Sequence, residues 1–569
     1  MSAAAAAPAA AHKTTARRPA LPAWWPLAAL TILAAAMRLS TLDLQSFWYD
    51  EAFTPVHVLH PSLLATLRSV VHTENTPPLW YVIAWADARV LGTGEVALRL
   101  PSAIAGIATV PVAWAIGREL TARRATAIAA AAFVTVNPLF VWYSQEARAY
   151  GLFVLTSALA MLCFLRALHS TTPRRLTAFA VTASLAPLSH YFAAFLVAPM
   201  IVMLLLRGRL PWLGGEQMEK GEEPAGGRLA PGEEEPTGRD ETRAFVGGSG
   251  RATLAKTGIR AGGACLPALV ACGAVVLVGL ALLPLAWAQG GHGAQWIGEW
   301  ALTSRLEAIP QYYLTGYSGS PLGHGIELLV ALGILAGVGY GLWSVLEPRE
   351  ERGALIALSI AACGVLLPIL LVAFGLDYLA PRNLVAAMIP VSALIAVVVT
   401  ARRAGRVGTA FAALIAVAGL AIAIDVDLSP RLQRGDWRGV ARVLRGTSAG
   451  DRVITTVELG AAPLEYYLPP LHNLAEGTRV RVREIDETGY APLKTSAEAP
   501  PAPGFHLVSR GDANGLVVYR FVSPTPREVP EATLRRHVIA EAHPEVLVAP
   551  GVRVSPGVHV SPGAGTPRA

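Results

Sequence analysis

Long apolar runs alternate with short polar turns along most of this chain. The apolar runs fall at 21–41, 98–118, 125–143, 150–169, 176–190, 191–207, 262–288, 325–346, 353–375, 383–401 and 408–426. Their lengths suit helices that cross a bilayer, which need about 20 apolar residues. Arginines cluster in alternate turns: Arg118, Arg123 and Arg124; Arg174 and Arg175; Arg207 and Arg209; Arg349 and Arg352; Arg402, Arg403 and Arg406. Basic turns stay on the cytoplasmic side, so the turns between them, at 50–95, 145–150, 189–191, 289–324 and 377–382, are expected outside. The tail 1–20 carries Lys13, Arg17 and Arg18 and leads into the first run with no small-residue cleavage site. It reads as a cytoplasmic tail before an uncleaved helix.

One apolar stretch breaks the alternation. Residues 77–91 are too few to span and include Asp87 and Arg89. If they crossed, Asp50 and the Arg118 cluster would share a side of the membrane. The stretch is therefore expected to lie in the outer interface, inside a first outer loop of 42–97. About eleven spans then leave the C-terminus outside.

Two regions lack the spanning pattern. Residues 213–259 are rich in Gly, Glu, Pro and Arg with no apolar periodicity and read as a disordered cytoplasmic insert. From 427 the chain turns polar. A helical pattern over 436–445 and strand-like runs at 452–457, 505–508 and 516–521 predict a small α/β domain to residue 523. Residues 524–569, with the near-repeat GVRVSPGVHVSPG, read as a disordered tail. The expected architecture is an all-α polytopic membrane protein, with membrane residues 21–426 and an extracytoplasmic α/β domain at 427–523.

Composition agrees. The chain has 569 residues, 53% hydrophobic and 15% charged, and its mean hydropathy is +0.45. Soluble domains carry about 25% charge. The net charge of +7 does not point to nucleic acid, because the basic residues sit in short turns between spans. Cys163, Cys265, Cys272 and Cys363 lie in apolar segments with no metal or disulfide spacing and read as small buried residues.

The chemistry-bearing residues gather in the turns expected outside. Asp50 and Glu51 stand in WYDEAF, just past the first span. Taken alone they would suit a helix cap or an interfacial salt bridge, for instance to Arg38. The same loop holds His72 and Glu74 in HTENTPPLWY, where two prolines start the interfacial helix. The next outer turn is WYSQEARAY, with Tyr143, Gln145, Glu146, Arg148 and Tyr150. Tyr and Trp are ordinary at a membrane edge, whereas Gln145, Glu146 and Arg148 suggest a lined cavity. His190 and Tyr191 follow in SHY, and Tyr378 and Arg382 lie in DYLAPRNL. Arg38 and Arg382 lie on the outer side against the positive-inside rule, so topology does not account for them. Arginines beside carboxylates suit a bound phosphate or diphosphate. A carboxylate can take the proton of an attacking hydroxyl, and Arg and His can stabilise a departing lipid phosphate. Asp50 and Glu146 could also share a divalent cation. No nucleotide-binding glycine loop is evident, which favours a lipid-linked donor.

These segments resemble the GT-C integral-membrane glycosyltransferases, in particular family 39 and its bacterial relatives, the protein O-mannosyltransferases and lipid A aminoarabinose transferases. The resemblance covers roughly 21–430, and 436–523 less closely. WYDEAF is similar to the family's first acidic outer-loop motif, TENTPPLWY to its Pro-Pro juxtamembrane motif, SQEARAY to its second acidic motif, and SHYF and PRNL to later ones. The resemblance implies Asp50 as catalytic carboxylate, Glu51 and Glu146 as further acidic residues, and His190 and Arg382 near the carrier phosphate. It implies a polyprenyl-phosphate sugar donor, a hydroxyl acceptor, and a multi-pass location in the plasma (inner) membrane. A lipid-linked sugar transporter or flippase would place ionisable groups at mid-membrane and show repeated halves. Neither is evident. An inactive assembly protein on the same fold is the other alternative, and Asp50, Glu146 and Arg382 together weigh against it.

Overall fold

The computed structural model describes residues 22, 24–210, 266–290, 295–317, 323–445, 451–468, 470–490, 493–537, 539 and 543–556. The tail 1–20, the insert 213–259 and the last residues from 557 lie outside the described residues. So does Cys265, while Cys163, Cys272 and Cys363 are free thiols.

Each apolar run became a helix. Among the described residues, seven helices are long and apolar enough to cross a membrane: Glu95–Thr121, Tyr150–His169, Leu266–Gln289, Gly325–Ser344, Pro348–Ala373, Pro381–Val399 and Arg402–Leu428. Arg124–Val136 and Pro138–Ser144 form an eighth if counted as one span bent by 56°. Trp25–Leu39 and Tyr191–Leu205 are shorter apolar helices, and Pro173–Ser189 has 17 residues. The expected spans are thus all helical, though only some have full crossing length.

The bend has a local cause. Pro138 has no N–H to give the Val134 carbonyl. Asn137 caps the second piece, its side chain accepting from the N–H groups of Leu139 (3.0 Å) and Phe140 (3.3 Å), so Leu139 gives nothing to Thr135. The two freed carbonyls need donors. Arg38, fully buried, supplies them: Nη2 donates to Val134 and Nη1 to Thr135, each at 3.0 Å. Its Nε donates to Ser144 Oγ at 3.1 Å. A side chain on Gly106 would collide with Ser144 Oγ, 2.1 Å from where a Cβ would sit, so this close approach requires glycine.

The loop 42–97 folds into short helices, Tyr49–Phe53, Thr54–Val58 (a π turn), Leu63–Thr73 and Leu79–Leu91. The last has 13 residues, fewer than a straight crossing needs.

The C-terminal domain opens with the helix Trp437–Arg445, capped by Asp436 Oδ1 accepting from Gly439 N at 2.8 Å. Its sheet consists of β1 (Arg452–Thr456), β2 (His472–Asn473), β3 (Thr478–Tyr490), β4 (His506–Ala513), β5 (Leu516–Pro530), β6 (Glu545–Val548) and β7 (Arg553–Pro556). The order is β2-β6-β1-β3-β5-β4, with β7 also pairing β3. Only β1 and β3 run parallel, through a crossover that contains the helix Ala461–Tyr467. Asn514 and Gly515 both take positive φ in the β4–β5 turn, as a two-residue hairpin demands.

Here the sequence reading needs correction. It closed the domain at 523 and gave 524–569 to a disordered tail. The structure carries β5 on to Pro530, adds the helix Glu531–His537, and pairs β6 with β1 and β7 with β3. Prolines at 524, 526 and 530 and the valine–proline near-repeat hid these strands. Pro556 and its neighbours sit at a strand end, where a missing N–H is tolerated.

The domain is fastened to the loop 42–97. Phe47, Trp48 and Ala52 share one apolar cluster with Trp437, Val440, Leu464 and Tyr467. Ser46 Oγ donates to the Gly435 carbonyl (3.1 Å) and accepts from Trp437 N (3.0 Å). Glu95 pairs with Arg438 and accepts from the Tyr467 hydroxyl.

Candidate active site

Asp50 lies in the first turn of the Tyr49–Phe53 helix. Its Oδ2 accepts from Arg382 Nη1 at 2.6 Å, although the two residues are 332 positions apart. Both side chains keep 17% exposure, so the pair is reachable from outside the fold. Arg382 is presented by the 3-10 turn Pro381–Ala387. Asp377 braces that loop: it holds Arg305 at 2.5 and 2.8 Å, and Arg305 also donates to the Leu379 carbonyl. Tyr378 keeps its carbonyl on Asn383 Nδ2 at 3.0 Å.

Glu51, the next residue, has another environment. It is fully buried. Arg99 donates to it from Nε (2.7 Å) and Nη2 (2.6 Å), the Ala147 N–H from 2.9 Å and Arg434 Nη1 from 3.3 Å. Burial opposes its charge, but Arg99 and Arg434 outweigh it and hold the carboxyl below its ordinary range. Arg99 uses its remaining donors on the carbonyls of Leu42, Gln45 and Ser46. Glu51 therefore ties the loop 42–97 to the bundle, with both oxygens already taken by donors.

Glu146 is also buried, with Oε2 3.4 Å from Arg434 Nη2. Its Oε1 is buried with no hydrogen-bond partner. Burial pushes its carboxyl up, to about 7, against the pull of Arg434. The hydroxyl of Tyr143, on the adjoining helix, is likewise buried without a partner. Tyr143 packs on Tyr150 at 4.7 Å, and Tyr150 on His190 at 5.9 Å. His190 stacks on Phe153 at 4.5 Å and caps the turn, Nδ1 accepting from Phe192 N. The charges of Asp50, Glu146 and Arg382 all act on Tyr150 and Tyr317.

Other expected site residues have structural partners. Arg148 and Glu74 form a bidentate pair at 3.0 and 3.2 Å, so this cation is already matched. Gln145 Nε2 donates to the Met37 carbonyl (3.0 Å) and to Thr41 Oγ1, closing the end of the first helix. Arg38 serves the broken span, as described above. Tyr191 donates to Gln289 Oε1 at 2.6 Å. His72 is exposed on the Leu63–Thr73 helix and is not brought to Asp50.

The sequence reading missed Arg99, Arg434 and Tyr317. Arg99 carried a signal, since it lies near the start of an apolar span at the end expected outside, where Arg38 and Arg382 also stand. Arg434 had none that set it apart from Arg431 or Arg438. Its guanidinium lies 4.3 Å from the Trp142 ring and 5.5 Å from Trp48. Tyr317 stacks on Trp142 at 5.1 Å.

The donor set does not make a cation cage. Asp50 is held by Arg382 and Glu146 by Arg434. Among the described residues no group of three His, Cys, Asp or Glu comes together. The alternation of guanidinium and carboxylate fits an anion next to a base.

Residues 75–215, which include the TENTPPLWY, SQEARAY and SHYF segments, match the family described as dolichyl-phosphate-mannose-protein mannosyltransferase. The chain resembles the GT-C glycosyltransferases. No curated protein matches it. Among solved structures, ArnT from Cupriavidus metallidurans bound to undecaprenyl phosphate aligns with 88% of this chain and 98% of its own, at 12% identity and TM-score 0.46. The same protein in its apo state gives 87% and 97%, at 11% identity and TM-score 0.48. The Archaeoglobus fulgidus oligosaccharyltransferase complex with Zn and sulfate aligns with 78% of this chain and 57% of its own, at 13% identity and TM-score 0.39.

Proposed function

We propose that this membrane protein transfers a sugar from a polyprenyl-phosphate carrier to a hydroxyl acceptor at the extracytoplasmic face. The meeting of Asp50 with Arg382 at one end of the bundle carries the reading. The family match over 75–215 supports glycosyl transfer as the reaction class. A related fold, ArnT, is described with undecaprenyl phosphate bound, which supports a lipid-linked donor.

In the proposed step the carrier phosphate takes the Arg382 guanidinium, whose planar fork suits phosphate oxygens. Asp50, released from that pair, accepts the acceptor's hydroxyl proton. The acceptor oxygen bonds to the anomeric carbon as the bond from that carbon to the phosphate oxygen breaks. The electron pair leaves on the lipid phosphate, and Arg382 stabilises its charge. One displacement with no sugar–enzyme bond inverts the anomeric centre. Glu146 adds a second carboxylate in the wall, and Tyr143, Tyr150 and His190 bound the space. The sugar and the acceptor are set by the shape of this wall.

Purified protein incubated with a panel of polyprenyl-phosphate sugars and hydroxyl acceptors tests the reading by product analysis. Transfer with inverted configuration from at least one lipid donor is expected. Carrier movement across vesicles without any new glycosidic bond would favour a flippase and sink the proposal.

A further inference from the structure

Arg434 stands where the last apolar helix gives way to the C-terminal domain, yet its side chain is buried inside the proposed centre. Nη1 reaches Glu51 Oε2 at 3.3 Å and Nη2 reaches Glu146 Oε2 at 3.4 Å. The backbone beneath it is clamped: its N–H donates to Gln45 Oε1 at 2.9 Å, and Ser46 Oγ holds the Gly435 carbonyl at 3.1 Å. Two indole rings, of Trp142 and Trp48, flank the guanidinium. Water is thereby kept away, and a charge in such surroundings acts more strongly than one in solvent.

We propose that Arg434 is a positioning residue that biases Glu146 toward its carboxylate form, so that the segment leading into the C-terminal domain completes the centre. This rests on the function proposed above. The charge count supports it. Glu51 is matched by Arg99 through two short bonds, which leaves the Arg434 charge for Glu146. No other cation makes an ion pair with Glu146 among the described residues. Its second oxygen, Oε1, is buried with no partner, a state an unmatched carboxylate does not sustain; it takes up a proton instead. The charged and titratable groups around Glu146 are Asp50 and Glu51 from the outer loop, Arg382 from the Pro381–Ala387 turn, Arg434, and the tyrosines 143, 150, 312 and 317. Of these only Arg382 and Arg434 favour its charge, and Arg382 is held by Asp50.

Infrared spectra of the full-length protein in detergent read this directly. The carbonyl stretch of protonated Glu146 is identified by its loss in Glu146→Gln. In the wild type this band should fade as pH rises through about 7. In Arg434→Gln the midpoint should move up by about 1–3 pH units, the usual effect of removing a close opposite charge. Arg434→Lys keeps the charge but cannot span both carboxylates, so its midpoint should fall between. The acid limb of transfer activity should move in the same order, and adding Arg434→Gln to Glu146→Gln should not move it further. An unmoved midpoint in Arg434→Gln overturns the proposal; if that variant does not fold, an unmoved midpoint in Arg434→Lys does so. Absence of transfer from every lipid donor would fail the proposed function while leaving the infrared midpoint readable, so the two fail separately.

Discussion

The two ends of the helical bundle use the same residue types in opposite ways. The Glu95–Thr121 helix shows this within itself: Arg99 near its start is buried against Glu51, while Arg118 near its end is exposed. Around Arg118 most other arginines, such as Arg174, Arg175, Arg402, Arg403 and Arg406, are exposed as well, while Arg123 is half-buried against Glu350 at 2.6 Å. Exposed basic turns of this kind are the pattern that the positive-inside rule describes. At the Asp50 end, Arg99, Arg148, Arg305, Arg382 and Arg434 are each matched to a carboxylate and mostly buried. Burying that many ions is costly unless the pairs are complete. A membrane protein needs no such network to fix its topology, so the network belongs to what this end does.

Changes that break this contrast should be unequal. Asp50→Asn removes a carboxylate that is both paired with Arg382 and reachable. Transfer should fall by about 10²–10⁴-fold, the contribution of a placed base, with insertion and thermal unfolding unchanged. Turnover within threefold of wild type would return the motif to a structural role.

Arg99→Ala attacks the buried half of the same network. It strands Glu51 in the interior, and stability should drop by about 3–5 kcal/mol, measured by denaturation in detergent. A loss below 1 kcal/mol would mean that Glu51 finds water after all. Asp50 and Glu51, adjacent in sequence, would thus separate cleanly, one by rate and the other by stability.

At the opposite end, Arg166→Ala removes a bridge of 3.0 Å to Glu119 between side chains that are 47% and 27% exposed. Such pairs contribute about 0–1 kcal/mol, so unfolding and activity should both stay near wild type. A drop as large as that of Arg99→Ala would erase the distinction between the two ends.

The helices were legible because a bilayer imposes one coarse requirement, long apolar runs, and the sequence meets it repeatedly. The Asp50 turn, the Glu146 turn and the Arg382 loop were legible because polar groups at the edge of apolar runs stand out. Their partners were harder to read. Arg38 was expected beside a phosphate, but Pro138 and Asn137 free two carbonyls a hundred residues away and claim it. Arg148 was expected to line a cavity, but Glu74 holds it. Pairings across such separations depend on how helices pack, and no local pattern records them. The strands beyond 523 were missed because proline marks a loop in sequence, and it also tolerates a strand end.

The broken span also orders the making of the protein. Arg38 leaves the ribosome with the first helix, while the carbonyls it serves follow 96 and 97 residues later. An arginine in a lipid-facing helix costs about 2.5–3.5 kcal/mol, so the first helix stays poorly settled until that hairpin arrives beside it. Glu51 and Glu146 then wait for Arg434, 383 and 288 residues further on. A nascent chain interrupted before that point carries every span up to the break in synthesis and still leaves Glu146 without its cation.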